Sequence, residues 1–185
     1  MVSRSRVQQD HMNIPNTEVL VFLVRIRKTL HEVALVQKRF KESRDLDPRW
    51  SGYNFYNDNE YATLPEEKTL RILAVRWFPA NAGIVNHEQD LLKVAQARLI
   101  SAHGTLFRHL HIYLCRRYEG HPKQTITVSK PVWFLVNEIP YHKMRPEMVY
   151  LFPTILWGGK RRFIFKFNEN QTELTNISIE AVQEL

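Results

Sequence analysis

A glycine-bracketed segment in the middle of the chain constrains the fold more than any other stretch. It runs from Gly83 to Gly104 and reads GIVNHEQDLLKVAQARLISAHG. Its apolar residues recur at helical spacing, at positions Leu91, Leu92, Ala95, Leu99 and Ala102. Gly104 supplies a left-handed stop after His103, as glycines do at helix ends. The pattern predicts an amphipathic helix from Gln89 to His103.

The spacing inside this segment carries a second signal. It resembles the Nudix box, G-x5-E-x7-R-E-U-x-E-E-x-G, with both glycines and the apolar position retained. The glutamates of the box are replaced throughout. The degenerate box consists of Gly83, Gln89, Arg98, Ser101, Ala102 and Gly104. The alternative is an ordinary strand, loop and helix whose spacing matches the box by accident.

The replaced glutamates bear on metal binding. In Nudix hydrolases the box glutamates share one helix face and hold Mg²⁺ against a substrate diphosphate. Mg²⁺ requires hard oxygen ligands, and a fixed cation at Arg98 would repel it. The resemblance therefore implies no metal site, no catalytic residue of the usual kind and no cofactor. Mg²⁺ enters only if the chain hydrolyses nucleotides with carboxylates outside the box.

A second stretch, residues 132–167, resembles the C-terminal part of the MutT-homologue 8-oxo-dGTP diphosphatases. The shared pattern is a Trp-Phe strand, an Ile-Pro turn, K-M-x-P, Y-x-F-P, a basic turn and F-x-F-K-F. This resemblance implies an α/β fold of the Nudix, MutT-like type, with a mixed sheet flanked by helices. The purine pocket of that family maps onto Arg145, Glu147, Met148 and Leu151. Only Glu147 keeps the chemistry of the family.

Four apolar runs predict the strands of the sheet. They span residues 19–25, 33–38, 106–115 and 162–167. The second run ends in Lys38 and Arg39, which are candidates for binding a nucleotide or another anion together with Arg98, Arg145 and Glu147. A solvated strand end is the alternative for the first two residues. For Arg98 the alternative is an internal ion pair with Glu138 or Glu147.

The domain is predicted to span residues 18–170, between a flexible N-terminus at 1–17 and a polar tail at 171–185. Residues 41–76 read as an insertion, because the family crosses this region in far fewer residues. The insertion contains Arg49-Trp50-Ser51-Gly52-Tyr53, which looks like the family's approach to the box. Arg76-Trp77-Phe78-Pro79 looks like a second approach. Aromatic side chains in polar surroundings favour a contact surface, so Trp50 and Tyr53 are candidate partner-binding residues.

Charge and cysteine content narrow the partners and the compartment. The net charge is +7 and the pI about 9.6, which favours RNA, DNA or an acidic protein surface as partner, with a generic basic surface as the alternative. The lone cysteine, Cys115, indicates a reducing intracellular compartment. Ser3, Arg4, Ser5 and Arg6 would also suit the end of a mitochondrial transit peptide.

Three functions follow from these observations. The leading hypothesis is a catalytically inactive MutT-like domain, a pseudoenzyme that serves as a binding or structural subunit of a larger assembly, such as a ribonucleoprotein. The second is a nucleotide hydrolase that uses carboxylates outside the box. Its candidates are Glu88, Glu119, Glu138 and Glu147. The third is a nucleotide sensor that binds without hydrolysis.

Overall fold

The computed structural model describes residues 16–40, 45–56, 67–156 and 158–185. They form two α-helices, three short 3₁₀ turns and eleven strands. The helices are α1 (Glu67–Ala82) and α2 (Met148–Leu156). The strands are β1 (Asn16–Arg27), β2 (Leu30–Arg39), β3 (Leu46–Ser51), β4 (Tyr53–Tyr56), β5 (Ile84–Val85), β6 (Leu91–Ile100), β7 (Leu106–Cys115), β8 (Glu119–Gly120), β9 (Val132–Leu135), β10 (Lys160–Phe167) and β11 (Leu174–Val182).

Nine of these strands form one mixed sheet. Its main path runs β11-β10-β6-β7-β1-β2-β3, with β4 paired to β1 and β9 paired to β2. The β10–β6 and β1–β7 pairs are parallel and the others antiparallel. The short strands β5 and β8 pair separately. The predicted mixed sheet with flanking helices is confirmed, as are the four strands read from apolar runs.

Helix α1 covers one face of the sheet at β1, β4 and β7. It buries Leu70, Ala74, Phe78 and Ala82 in a cluster with Val19, Val21, Tyr53, Tyr113 and Cys115 of the strands. The helix begins three residues before the first of its buried positions and ends at Gly83, where φ is +72°. A left-handed glycine directly after the last helical residue is a common helix stop.

The opposite face carries the larger core. Helix α2 buries Leu151, Phe152 and Ile155 against it, and the phenylalanines of β10 extend the same cluster toward the sheet edge. Phe152 packs edge-on to Phe22 of β1, with ring centroids 4.5 Å apart. The two faces therefore have different cover, since α2 and its flanking turns reach further along the sheet than α1.

The helix predicted from Gln89 to His103 is wrong, because this segment forms a 3₁₀ turn and then strand β6. The strand lies between β7 and β10 and is hydrogen-bonded on both sides. A bulge between Lys93 and Ala95 interrupts the alternation of inward side chains, so that Lys93, Val94 and Ala95 are all buried. The strand therefore lacks the regular alternation by which a strand is recognised in a sequence. Gly104 lies in the turn that leads to β7, with φ +83°.

Two predicted domain features also change. The described part of the supposed insertion, residues 45–56 and 67–76, supplies β3, β4 and most of α1, which belong to the domain itself. The predicted tail supplies β11, which pairs along the whole length of β10. Of the predicted flexible N-terminus, residues 16 and 17 begin β1, and residues 1–15 lie outside the described residues. Neither described helix has the length and apolar character needed to cross a membrane.

Candidate functional site

A cavity lies at the end of the sheet formed by β2 and β3, beside α1. Its volume is about 540 Å³, and we call it the cationic groove. Four basic side chains line it, namely Lys38, Arg39, Arg49 and Arg145. Helix α1 contributes Trp77 and Asn81 to the opposite wall. Three of the anion candidates named from the sequence, Lys38, Arg39 and Arg145, are thus brought together.

One carboxylate lies among the described lining residues, and it is already engaged. Asp47 accepts two hydrogen bonds from the Arg49 guanidinium, at 2.9 and 2.8 Å, and one from the Arg49 backbone N–H at 2.9 Å. These hydrogen bonds hold the pKa of Asp47 below its ordinary value, although burial opposes them. The largest contribution comes from the hydrogen bond to the Arg49 side chain. The carboxylate is therefore ionised and neutralised by its own neighbour, and it leaves the groove with excess positive charge.

The back wall of the groove is held by the segment 125–129. The Arg39 N–H donates to the Thr127 carbonyl at 2.8 Å, and the Thr127 hydroxyl donates to the Asn81 side chain at 3.1 Å. Asn81 also donates to the Trp77 carbonyl at 3.0 Å, so its amide is occupied within the protein. The buried Nε of Arg39 has no hydrogen-bond acceptor among the described residues. A buried guanidinium N–H without an acceptor is a site where an anion would gain a charge-assisted hydrogen bond.

The described donor set does not suit Mg²⁺, the ion implied by the fold. Magnesium takes several oxygen ligands in near-octahedral geometry. The groove offers a single carboxylate, which Arg49 holds, among four basic side chains. Within the described ranges no three His, Cys, Asp or Glu side chains are grouped so as to hold a metal ion. The charge of this lining would oppose a divalent cation and attract an anion.

A second cavity of about 330 Å³ adjoins the groove and shares Arg49 and Arg145 with it. Arg108 crosses it between two buried carboxyl groups. Its Nε lies 2.5 Å from Glu18 Oε1, and its terminal nitrogen lies 3.9 Å from Glu147 Oε1. Glu18 also accepts a hydrogen bond from Asn54 at 2.9 Å. Burial raises the pKa of the Glu147 carboxyl, although a backbone hydrogen bond opposes it, and Oε1 has no hydrogen-bond donor among the described residues.

Arg98 and Tyr53 are the two site candidates that the structure places elsewhere. Arg98 is exposed on β6, on the sheet face opposite Glu147, and lies level with His109 of β7. It joins neither the groove nor an ion pair with Glu147, which lies beside Arg108 instead. Tyr53 is fully buried against Trp77 and Phe78, so it belongs to the domain's own core. Its assignment as a partner-binding residue is wrong for that reason.

Trp50 remains a candidate contact residue. It is half-buried, packs edge-on to Phe134 with centroids 5.4 Å apart, and lines the groove. The remaining positions of the degenerate box, Gln89, Ser101 and Ala102, lie on the turns that flank β6. They are separated by the length of a ten-residue strand, so they form no site together.

Sequence reasoning missed α1 as the helix that faces the cavity, although a signal for it was present. The Nudix pattern also fits the chain in part when Gly83 is its last glycine instead of its first, with Ala62 then at the first glycine position. In that register Arg76, Phe78 and Gly83 occupy the arginine, apolar and glycine positions. The glutamate positions then fall on Lys68, Trp77, Ala80 and Asn81. Trp77 and Asn81 are the two α1 residues that line the groove, so this register agrees with the geometry.

Comparison with known proteins finds structural likeness at low sequence identity. No protein-family model matches the chain, and no curated protein matches it. Solved structures do match. A MutT protein of Bacillus halodurans superposes with a TM-score of 0.64 at 16% identity, over 89% of this chain and 97% of its own. A MutT NUDIX hydrolase of Burkholderia pseudomallei superposes with a TM-score of 0.53 at 14% identity, over 76% and 98%.

A third match is the NUDIX domain of Shewanella oneidensis NrtR, solved with ADP ribose. It superposes with a TM-score of 0.53 at 14% identity, over 76% of this chain and 85% of its own. At these identities the likeness establishes the fold, which is that of MutT-like Nudix proteins. What the domain binds or catalyses depends on the residues of its own groove, since one fold can carry many functions.

Proposed function

We propose that this MutT-like Nudix fold serves as a non-hydrolysing binding domain whose cationic groove takes a phosphate-bearing ligand without a divalent metal. One observation carries the proposal. Four basic side chains line the groove, and its single described carboxylate is neutralised by Arg49. In a groove that faces α1, arginine and lysine would therefore replace the metal as the source of positive charge. Arginine suits this role because its planar fork binds phosphate oxygens in pairs.

The wall residues from α1 support the absence of hydrolysis. Trp77 and Asn81 stand where the shifted Nudix pattern has glutamates. An indole has no oxygen to offer a metal, and the Asn81 amide is engaged by Thr127 and by the Trp77 carbonyl. Neither side chain can supply the carboxylate that would activate a water molecule. We propose that the domain acts in this way as a pseudoenzyme, within a larger assembly.

The competing hydrolase hypothesis needs carboxylates at the groove. Of its four candidates, Glu88, Glu119 and Glu138 are exposed and line neither the groove nor the adjoining cavity. Glu147 lines the adjoining cavity, but burial raises its pKa and Arg108 lies beside it. The described geometry therefore favours binding over hydrolysis.

The decisive experiment measures binding and turnover on the same protein. Pyrophosphate is titrated calorimetrically in EDTA and again with Mg²⁺. We expect binding in EDTA, with no gain in affinity from free Mg²⁺. Incubation with 8-oxo-dGTP, ADP-ribose and dinucleoside polyphosphates in Mg²⁺ or Mn²⁺ is expected to give no hydrolysis above background. An EDTA-sensitive turnover of about 1–10³ per second, the ordinary range for enzymes, would establish the hydrolase instead.

Matched variants localise the binding. Arg39→Ala and Arg145→Ala each remove one basic side chain from the groove, whereas Arg27→Ala and Arg116→Ala remove exposed basic side chains outside it. Hydrogen bonds to charged groups are worth about 1.5–3 kcal/mol, so each groove variant should weaken pyrophosphate roughly 10- to 100-fold. Equal losses of affinity in the groove variants and the control variants would show that the groove is not the pyrophosphate site. Binding of nucleotides but not of pyrophosphate would favour the nucleotide sensor.

A further inference from the structure

Part of the sheet face that carries α1 is exposed among the described residues. From Gln96 of β6 onward, and on β10 and β11, the side chains that point to this face are exposed or half-exposed. The cluster under α1 includes Leu91, the first residue of β6, and both Leu91 and Lys93 are buried. We call the exposed area, together with His109 of the adjacent β7, the open platform. Its residues are His109 of β7, Gln96 and Arg98 of β6, Lys160, Arg162, Ile164 and Lys166 of β10, and Asn176, Ser178 and Glu180 of β11, and the neighbouring His111 is buried.

The platform's charge is concentrated along one line. Alternate side chains of a strand are about 6.6 Å apart and point to the same face. Lys160, Arg162 and Lys166 follow this spacing on β10, and Arg98 lies level with Ile164 on the neighbouring strand. Four cations therefore succeed one another at regular steps. Glu180, across from Arg162, is the single acidic side chain of the platform as described.

The remaining platform side chains are polar or flat. Gln96, Asn176 and Ser178 present amide and hydroxyl groups beside the cations. His109 and His111 lie side by side with ring centroids 4.4 Å apart. Burial, with the nearby cations Arg98 and Lys93, lowers the pKa of His109 to about 4, and burial lowers that of His111 to about 3. Both rings are therefore neutral at pH 7.

We propose that the open platform binds single-stranded RNA, with the cation line contacting successive phosphates. Regular cations alongside amide, hydroxyl and imidazole groups match what an unpaired strand presents, namely phosphates, 2′-hydroxyls and base faces and edges. A four-stranded sheet face is also a geometry on which single strands can lie flat. This inference concerns a different surface from the cationic groove, and it does not depend on phosphate binding there.

A protein partner fits the platform less well. The centres of protein interfaces are depleted in charge and enriched in aromatic side chains. The middle of the platform is Arg98 beside Ile164, flanked by Arg162 and Lys166, with three of these four side chains charged. The positive charge matches the phosphate backbone of RNA, whose binding is dominated by such contacts.

The test uses the full chain and a fluorescent 12-nucleotide oligo(U), titrated by anisotropy from 50 to 200 mM salt. The platform variant carries Arg98→Gln, Arg162→Gln and Lys166→Gln. The control variant carries Arg27→Gln, Arg116→Gln and Lys143→Gln, which are exposed positions away from the platform. Each variant lowers the net charge from +7 to +4, that is 7 minus 3. Long-range attraction is thereby equalised, and differences report the platform.

We expect the platform variant to bind oligo(U) at least 10-fold more weakly at 50 mM salt, and the control to stay within about 2-fold of the natural chain. Each lost phosphate contact should reduce the slope of log affinity against log salt by about 0.7, so the platform variant should lose about 2 units of slope. Oligo(dT) should bind more weakly than oligo(U), because it lacks the 2′-hydroxyl.

Three results would overturn the proposal. One is absence of oligo(U) binding by the natural chain at 50 mM salt. Another is equal loss in the two variants, which would mean general charge attraction. The third is stronger binding of a poly-glutamate peptide with the same dependence on the platform, which would identify an acidic protein partner. If the triple variant fails to fold, 4-thiouridine RNA is crosslinked to the natural chain and the crosslinked residues are identified. Crosslinks that fall outside residues 93–111 and 160–182 would contradict RNA binding at the platform.

Discussion

Tyr53 and Trp50 show how three residues of separation change the role of an aromatic side chain. Both belong to the segment between β2 and α1. Tyr53 is fully buried under α1, whereas Trp50 points to the other side of the sheet and lines the groove. The Tyr53 hydroxyl is buried with no hydrogen-bond partner among the described residues, and burial raises its pKa. Its ring stabilises the core and its hydroxyl does not.

This division predicts opposite outcomes for two substitutions at Tyr53. Tyr53→Ala should cost about 3–5 kcal/mol, because it empties an aromatic site against Phe78 and Trp77. Tyr53→Phe should be neutral or stabilising by about 1 kcal/mol, since it removes an unpaired buried hydroxyl. Urea denaturation measures both. If Tyr53→Phe proves as damaging as Tyr53→Ala, the hydroxyl has a partner and the burial argument fails.

Glu147 predicts a pH dependence of stability. Burial raises its pKa above the ordinary 4.5, so the folded state holds this proton at pH values where the unfolded chain has released it. Its contribution to stability is present below that ordinary pKa and is lost as pH rises through the raised pKa. Glu147→Gln should therefore raise the melting temperature at pH 8 and change it little at pH 4.5. For a chain of this length, 1 kcal/mol corresponds to about 2–4 °C.

The control for this prediction is Glu173→Gln, which changes an exposed carboxyl near the end of the sheet. It should leave the melting temperature unchanged at both pH values. A fall in melting temperature for Glu147→Gln at pH 8 would mean that the ionised carboxylate is stabilised by Arg108, which lies 3.9 Å away.

Among the elements, those with regular alternation or continuous apolar runs were predictable from sequence. β1, β2 and β7 each bury a continuous run of side chains, β10 buries alternate ones, and the expected strands lie within them. β6 was not predictable, since its bulge breaks the alternation and one of its two partners, β10, comes from a distant part of the chain. Pairing on both sides overrides the helical spacing that the sequence alone displays.

The site was predictable only in part, for a related reason. Lys38, Arg39 and Arg145 were named from their positions in motifs, and the structure brings them together at one cavity. The wall from α1 was missed because Gly83 fits the Nudix pattern at either end. Taken as the first glycine, it placed the box on a strand, and taken as the last, it places the box on a helix. One residue therefore decided which side chains were expected to face the cavity.

At the junction between β3 and β4, replacing Gly52 should be destabilising because of its surroundings and not because of backbone propensity. A Cβ on Gly52 would lie 2.6 Å from the ring of Phe22 and 2.8 Å from the Val21 carbonyl oxygen. Phe22 is itself held by Phe152, so it has little room to move. Gly52→Ala should cost about 1–3 kcal/mol, as overpacked cores do, measured by urea denaturation.

Gly104→Ala is the matched comparison, because a Cβ there meets nothing within 4 Å. Its φ of +83° still imposes about 1–2 kcal/mol of left-handed strain on alanine. The two costs differ in kind. Gly104→Asn should recover part of the loss, whereas Gly52→Asn should be worse than Gly52→Ala. Recovery at Gly52 would show that contact with Phe22 is not the cause.

At the scale of the whole molecule, the two proposed surfaces lie toward opposite ends of one sheet. β2, which lines the cationic groove, and β10, which centres the open platform, are four strand spacings apart, or about 19 Å. Helix α1 packs on the strands between them. A phosphate-bearing ligand in the groove therefore leaves the platform accessible, and the domain has the geometry to join two anionic partners.

Simultaneous occupancy is the corresponding prediction. Saturating pyrophosphate should change the affinity for oligo(U) by less than about 2-fold at constant ionic strength. Arg39→Ala should weaken pyrophosphate binding roughly 10- to 100-fold and spare oligo(U), whereas the platform variant should weaken oligo(U) and spare pyrophosphate. Anisotropy and calorimetry on the same preparations measure the two. Direct competition between the ligands would place both on a single surface.

The Asp47–Arg49 pair affects how binding in the groove should depend on pH, because it keeps the pKa of the groove's described carboxylate low. The described lining contains guanidinium and ammonium groups and one carboxylate whose pKa is held low, and it contains no histidine. The described lining therefore has no side-chain type that ordinarily titrates between pH 5 and 8, whereas a phosphate ligand does titrate there. A phosphate monoester gains its second negative charge near pH 6. Affinity for such a ligand should rise as pH passes that value and then level off. The pH dependence of binding would therefore follow the ionisation of the ligand and not that of the protein.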